Sequence, residues 1–145
     1  MAPIVTVTQL DHLVLTVTDI RTTIAWYTQT LGMSHVSFHS PKDPRVQRHA
    51  LTFGGQKINL HRAGAEFEPR AERATPGSAD LCFLTETPVD EMLVALKRER
   101  IEVLEGGVVV DRIGARGMLR SVYVRDPDGN LVEISNEMDP NEAAA

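Results

Sequence analysis

The sequence predicts an α+β fold: two copies of a β-α-β-β-β module whose mixed sheets curve into a cup. Three observations predict it. The order strand, helix, three strands occurs twice along the chain, and the copies lie about 70 residues apart, a period too regular for chance. The composition, 42% hydrophobic and 24% charged over 145 residues, is that of an ordinary globular protein. A module of this kind leaves one sheet face bare, and pairing two of them hides much of that surface. A chain this long buries about 70% of its unfolded surface, so it needs neither disulfide nor metal merely to fold.

Each element has a local cause. Residues 10–17 (LDHLVLTV) are rich in Leu, Val and Thr and read as a strand, with His12, Val14 and Thr16 on one face and Leu13, Leu15 and Val17 on the other. Thr18 and Asp19 cap a helix carrying Ile20, Ile24, Tyr27 and Leu31, which Gly32 closes. Residues 36–39 form a short strand before a Pro-containing loop at 41–44, and residues 49–53 and 57–62 flank Gly54-Gly55 as a hairpin. Residues 63–78 hold Gly, Pro and charges without periodicity and read as a linker or loop. The pattern then restarts. Residues 80–85 form a strand, and a helix follows with Pro88 at its first position and Val89, Met92, Leu93 and Leu96 as its apolar stripe. Strands at 108–111, 119–125 and 131–135 complete the copy, the last two joined by Asp126-Pro-Asp-Gly129, which is turn chemistry rather than a catalytic motif. The domain spans residues 8–137, with modules at about 8–63 and 78–137. Residues 138–145 read as a flexible tail.

Composition excludes several classes. The net charge is −5, with no basic stripe, so nucleic acid is not an expected partner. The longest apolar run, residues 92–96, falls far short of the roughly 20 residues of a membrane span. No Lys or Arg precedes Arg21, and Thr, Gln, Asp and His interrupt the apolar residues of the N-terminus, so a secretory signal is not expected. A single cysteine, Cys82, forms no intramolecular disulfide, and a cytoplasmic location follows as the expectation.

Strand parity aims four ligand-type side chains at the cup. Ile58 and Leu60 pack beneath the sheet, so Lys57, Asn59 and His61 face inward; Val132 and Ile134 pack likewise, so Glu133 faces inward. With His12 and Asp80 the candidate metal ligands are His12, His61, Asp80 and Glu133. Imidazole and carboxylate together suit one divalent ion, Zn, Ni, Fe, Mn or Co, without choosing among them. Each residue also has a plainer reading: a core histidine, a strand-end histidine, a turn cap at Asp80, a solvated edge carboxylate at Glu133. Cys82 shares the parity of Asp80 and reads as a buried, inert thiol. His35, His39 and His49 read as surface residues, with His49 or Arg48 at the cup mouth. Arg116 and Arg120 are candidates to hold an anionic substrate.

The stretches LDHLVLTVTDI, AWYTQTLGM and SVYVRDPDGNLVEI, in that order, resemble the vicinal-oxygen-chelate superfamily of glyoxalases, bleomycin-resistance proteins and extradiol dioxygenases. FGGQKINLH and PGSADLCFLTETP are similar to the small glyoxalase-domain proteins of the glyoxalase-domain-containing-protein-5 type. The resemblance implies a fold of two such modules around a metal. It places His12 on the first-strand ligand and Glu133 on the last-strand ligand. Asp80 stands where the fifth-strand ligand is commonly His. Asn59 stands where the fourth-strand ligand of glyoxalase I is Glu, with His61 two residues along on the same face.

The implied activity is divalent-metal-dependent lyase or isomerase chemistry on a small oxygenated substrate held by two oxygens. Glu133 and His61 are the candidate catalytic residues, the carboxylate doubling as proton shuttle. The alternatives are an extradiol-type dioxygenase using ferrous iron, for which His12, His61 and Glu133 supply two His and one Glu, and a non-catalytic small-molecule-binding protein. The resemblance also implies a homodimer.

Overall fold

A computed structural model of the chain describes residues 1–143. In order, the elements are β1 (His12–Val17), α1 (Ile20–Leu31), β2 (Ser34–His39), β3 (Gln47–Phe53), β4 (Gln56–Arg62), β5 (Asp80–Leu84), α2 (Val89–Arg98), β6 (Val110–Ile113), β7 (Met118–Arg125), β8 (Leu131–Glu137) and a one-turn α3 (Pro140–Ala143). The chain divides into two units, Met1–Pro76 and a second beginning at Gly77. Each carries one four-stranded sheet, ordered β1-β4-β3-β2 in the first and β5-β8-β7-β6 in the second. The twofold β-α-β-β-β pattern is therefore present, and both sheets are mixed, with β1·β4 and β5·β8 parallel and the other pairs antiparallel.

In the first unit, Asp19 caps α1 by accepting the Thr22 N–H at 2.8 Å. Gly32 stops it with φ +68°, the left-handed turn a residue without Cβ adopts freely. Below the helix, Leu15, Val17, Leu51, Ile58 and Leu60 pack with Tyr27, each at most 4% exposed. At about 25 cal/mol per Å² of buried apolar surface, this layer is what holds helix to sheet. The alternate residues, His12, Val14, Thr16, Lys57, Asn59 and His61, are left on the sheet's other face, in the register His12↔Lys57, Val14↔Asn59, Thr16↔His61.

The second unit is built the same way, with Val122, Val124, Val132 and Ile134 buried together with Val89 and Leu96 of α2. The start of α2 differs from the sequence reading. Pro88 is the capping residue with φ −55° and ψ 129°, and Val89 opens the helix. Pro88 has no side-chain donor or acceptor to offer, so the cap comes from β8: Asn136 Oδ1 accepts the Val89 N–H at 2.9 Å while its Nδ2 donates to the Thr85 and Thr87 carbonyls. The turn at Asp126–Gly129 is purely structural, as expected. Asp126 Oδ1 accepts the Asp128 and Asn130 N–H groups, Gly129 takes φ +88°, and Asn130 Oδ1 ties the turn to the Ala79 N–H.

Strand ends differ from expectation at edge and interior strands alike: β1 begins at His12 rather than residue 10, β3 at Gln47 rather than residue 49, and β8 runs to Glu137 rather than residue 135. β2 begins two residues earlier than residue 36, because its ladder with β3 runs from Ser34↔Thr52 to His39↔Gln47. β6 sits at Val110–Ile113 rather than 108–111: Val108 is already extended, but the ladder with β7 starts only at Val110↔Ser121. The tail expected from residue 138 contains the helical turn α3, and residues 144–145 lie outside the described residues.

Candidate functional site

Glu133 is the most elaborately held side chain of the second unit. Its register neighbours are Cys82 on β5 and Tyr123 on β7, so strand pairing brings three chemically distinct groups to one level. Two relays of donors converge on its carboxylate. Tyr123 donates its hydroxyl to Oε1 at 3.0 Å and receives the Arg112 Nε–H at 3.1 Å. Ser121 donates to Oε2 at 2.6 Å, Ser135 lies 3.2 Å from the same oxygen and 2.6 Å from Ser121 Oγ, and Cys82 Sγ is 3.5 Å from Ser135 Oγ. Ser121 and Ser135 are fully buried. Burial, helped by the hydrogen bond to Glu133, pushes the Tyr123 hydroxyl above its ordinary range, which keeps it a donor. Tyr123 and Ser121 each give the carboxylate a hydroxyl hydrogen, and the Ser135 hydrogen is shared between Oε2 and Ser121 Oγ, which leaves room on its about four lone-pair sites for one more electrophile.

Asp80 heads β5, two residues from Cys82 on the same face, and is exposed. Cys82 is exposed too, not buried as the sequence suggested. Desolvation of the sulfur, with the Glu133 charge, pushes the thiol above its ordinary value, while the hydrogen bond to Ser135 pulls the other way. The thiolate is then scarce near neutral pH, which preserves the inert reading for a different reason. Arg116 and Arg120 do not stand ready for an anion. Arg116 forms a two-point pair with Glu137 at 3.0 and 3.1 Å, and Arg120 reaches Asp90 of α2 at 3.2 Å from the helix-covered face.

In the first unit the structure separates two histidines that parity alone had grouped. His12 and His61 share a face, but His61 is level with Thr16, four residues beyond His12. Four residues of strand are about 13 Å, too far for both imidazoles to meet one ion through bonds of about 2 Å. His61 is 3% exposed, and its Nε2 takes a hydrogen bond from Arg48 Nη2 at 3.1 Å. A guanidinium only donates, so the Nε2 lone pair that would bind a metal is already used. Burial first, then the Arg48 charge, holds the imidazole below its ordinary pKa, against a smaller opposing pull from Glu66. The Phe67 ring meets it edge-on at 5.3 Å.

His12 is in the opposite state. Its Nδ1 lies 2.8 Å from Asp11 Oδ2, and a carboxylate acceptor there fixes the tautomer with Nε2 as the open lone pair. Diagonally across the ladder, Asn59 is buried and its Oδ1 has no hydrogen-bond partner among the described residues. A buried oxygen without a donor is costly, about 1–3 kcal/mol, and a cation or a substrate hydroxyl would relieve it. The donors of this unit that suit a metal are therefore His12 and Asn59 rather than His61; in the other unit it is Glu133. Among the described residues no three His, Cys, Asp or Glu side chains are gathered into one metal-binding group. His35 and His49 lie on the α1 side of the sheet, Nε2 to Nδ1 at 2.9 Å, so His49 is not on the face of His12 and His61, whereas Arg48 is.

The family model of the Glyoxalase/Bleomycin resistance protein/Dioxygenase superfamily matches residues 9–134. The chain belongs to this superfamily. Within it, the chain is 53% identical over 127 residues to virulence protein STM3117 of Salmonella typhimurium, covering 88% of this chain and 83% of that protein. The crystal structure of STM3117 superposes with a TM-score of 0.82, over 92% of this chain and 100% of that one. The glyoxalase domain-containing protein RDO1 of Mycosarcoma maydis is 48% identical over 133 residues, 92% of this chain and 70% of that protein. A more distant structure, the fosfomycin resistance protein FosX of Listeria monocytogenes complexed with Mn(II), shares the fold at 21% identity and TM-score 0.58 over 90% of each chain.

Ser121, Tyr123, Ser135 and Phe67 were not singled out in the sequence. The three on strands alternate with buried Val122, Val124 and Ile134, so parity marks their face. Only the register says that they converge on Glu133.

Proposed function

We propose that the chain is a divalent-metal-dependent enzyme of the lyase or isomerase kind, acting on a small oxygenated substrate, with Glu133 as metal-binding and proton-handling carboxylate. The observation that carries this reading is the convergence of Tyr123, Ser121 and Ser135 on Glu133. Carboxylates that ligate metals are oriented by such hydrogen bonds, and removing the supporting donors typically costs 10–100-fold in affinity or activity. A bound ion would supply Lewis acidity, polarising a substrate carbonyl. His12, with its Nε2 open, and Asn59, with its orphaned Oδ1, are further donors of suitable chemistry in their own unit.

The chain's own residues account for the proton. Glu133 Oε2 accepts it, and the short bond from Ser121 Oγ stabilises the charge before transfer. Tyr123, receiving the Arg112 Nε–H, donates to Oε1 throughout and keeps the carboxylate plane fixed. His61 positions Arg48 rather than binding the ion. An extradiol dioxygenase built on two His and one Glu would need the His61 lone pair that Arg48 occupies, so that reading is not favoured. A lone cysteine fits a reducing, cytoplasmic setting, and among the described residues no helix is long and apolar enough to cross a membrane.

The test is metal content and metal affinity of untagged protein. Wild type and His61→Gln are expected to bind a divalent ion alike. Glu133→Gln is expected to lose it, and Ser121→Ala with Tyr123→Phe to weaken it about 10–100-fold. A wild type that neither retains nor takes up Zn, Ni, Mn, Co or Fe(II) would overturn the enzyme reading and leave a small-molecule-binding protein.

A further inference from the structure

The face of the first sheet turned away from α1 carries two cations, Arg48 and Lys57, that pair with no carboxylate among the described residues. Arg48 on β3 has its guanidinium 5.5 Å from the centre of the Phe38 ring and 4.5 Å from that of Phe67. Lys57 on β4 holds its Nζ 4.6 Å from the same Phe38 ring. Both positive charges thus lie against one aromatic side chain. Among the described residues neither forms an ion pair. The Arg48 side chain hydrogen-bonds to neutral-leaning His61, and among the described residues its Nε is buried without a partner. Glu66, whose charge reaches His61, accepts the Gly64 N–H at Oε1 instead.

Like charges placed together, half-buried and without a counter-ion, are unfavourable unless something negative joins them. Ring faces offset part of that cost but supply no hydrogen-bond acceptor. With aromatic rings against the guanidinium, its remaining N–H donors point along the guanidinium plane, the geometry that takes two oxygens of one oxyanion. Lys57 adds a point charge beside the same ring. His61 accepts from Nη2 and so fixes how the fork is turned. Elsewhere in the chain the arginines that face acidic side chains pair with them directly, as Arg45 does with Asp43 at 3.1 Å. Arg48 and Lys57 have no such neighbour.

We propose that Arg48 and Lys57 form an oxyanion-binding site on the face of the first sheet turned away from α1, and that the substrate carries a carboxylate or phosphate group held there. The assignment of that anion to a substrate rests on the enzyme reading above; the binding itself does not. Phe67, on the loop following β4, covers the Arg48 fork, and anion binding moves its ring.

The experiment is titration of metal-free, chelator-treated protein with inorganic phosphate and, separately, with propionate. The readouts are the Arg48 Nε–H resonance and the aromatic signals of Phe67. Saturable shifts of both are expected, weakened by added salt, and the tighter of the two probes names the group. Arg48→Met is expected to lose at least tenfold in affinity and Lys57→Met several-fold, while Arg45→Met, on an exposed turn of the same unit, matches wild type. Should Arg48→Met fail to fold, the Lys57→Met series and the wild-type resonances still decide. No shift at Arg48 with either anion at tens of millimolar, or full affinity in Lys57→Met and Arg48→Met, overturns the proposal. Because metal is absent throughout, this outcome is independent of whether Glu133 binds an ion.

Discussion

Single side chains in this protein are defined by what occupies their lone pairs. His12 and His61 have the same parity and the same residue type, yet Asp11 leaves Nε2 of the one open and Arg48 closes that of the other. His49 shows how environment sets charge in a third way. Burial, and then the neighbouring His35, lowers its pKa from the ordinary 6.5. The folded state therefore binds fewer protons than the unfolded state over the interval from the depressed value up to 6.5. Stability is full above that interval and falls as pH drops through it. In His49→Gln the melting temperature is expected to decline less between pH 7 and pH 5 than in wild type, measured by calorimetry in matched ionic strength. A decline as steep as wild type would assign the loss to other groups. Parity placed Glu133 and Asn59 correctly from sequence, because buried Val132, Ile134, Ile58 and Leu60 flank them. Their partners were not legible, since a hydrogen bond across a ladder depends on register.

At the level of elements, local signals worked where the cause is local. Asp19 and Gly32 bound α1 because a cap and a left-handed stop need only nearby residues. The start of α2 was misplaced because its cap is Asn136, contributed by β8 far along the chain. Asn136 satisfies one helix N–H and two carbonyls at once. Asn136→Ala removes all three hydrogen bonds and is expected to cost about 2–3 kcal/mol, at roughly 1 kcal/mol each. Denaturant midpoints with unchanged m-values check this. A loss within 0.5 kcal/mol would mean that water replaces the side chain at the helix end. The ends of β2, β3, β6 and β8 depart by two residues for a related reason. Each ends where its ladder with a partner ends, not where its own apolar residues do.

For the whole molecule, the superfamily follows from the match over residues 9–134, while assembly is a proposal. Ile4, Val5, Val7 and Leu10 are all exposed, an apolar run of the kind that marks interaction surfaces. We expect a homodimer, with light scattering after gel filtration giving twice the single-chain mass, and removal of residues 1–9 weakening it. A monomer at high micromolar concentration would remove that expectation.

The sequence by itself determined the α+β class, the doubled β-α-β-β-β order, the helix-facing core and the facing of Glu133. All four depend on periodicity and local turn chemistry, which the chain carries in its own order. Tertiary structure decided which face residues meet. Parallel pairing of β1 with β4 put His61 level with Thr16 and out of reach of His12. Pairing of β8 with β5 and β7 gathered Cys82, Tyr123 and the two serines around Glu133. Register joins residues distant in sequence, and a shift of one position reverses every side chain, so this information is absent until the strands are paired.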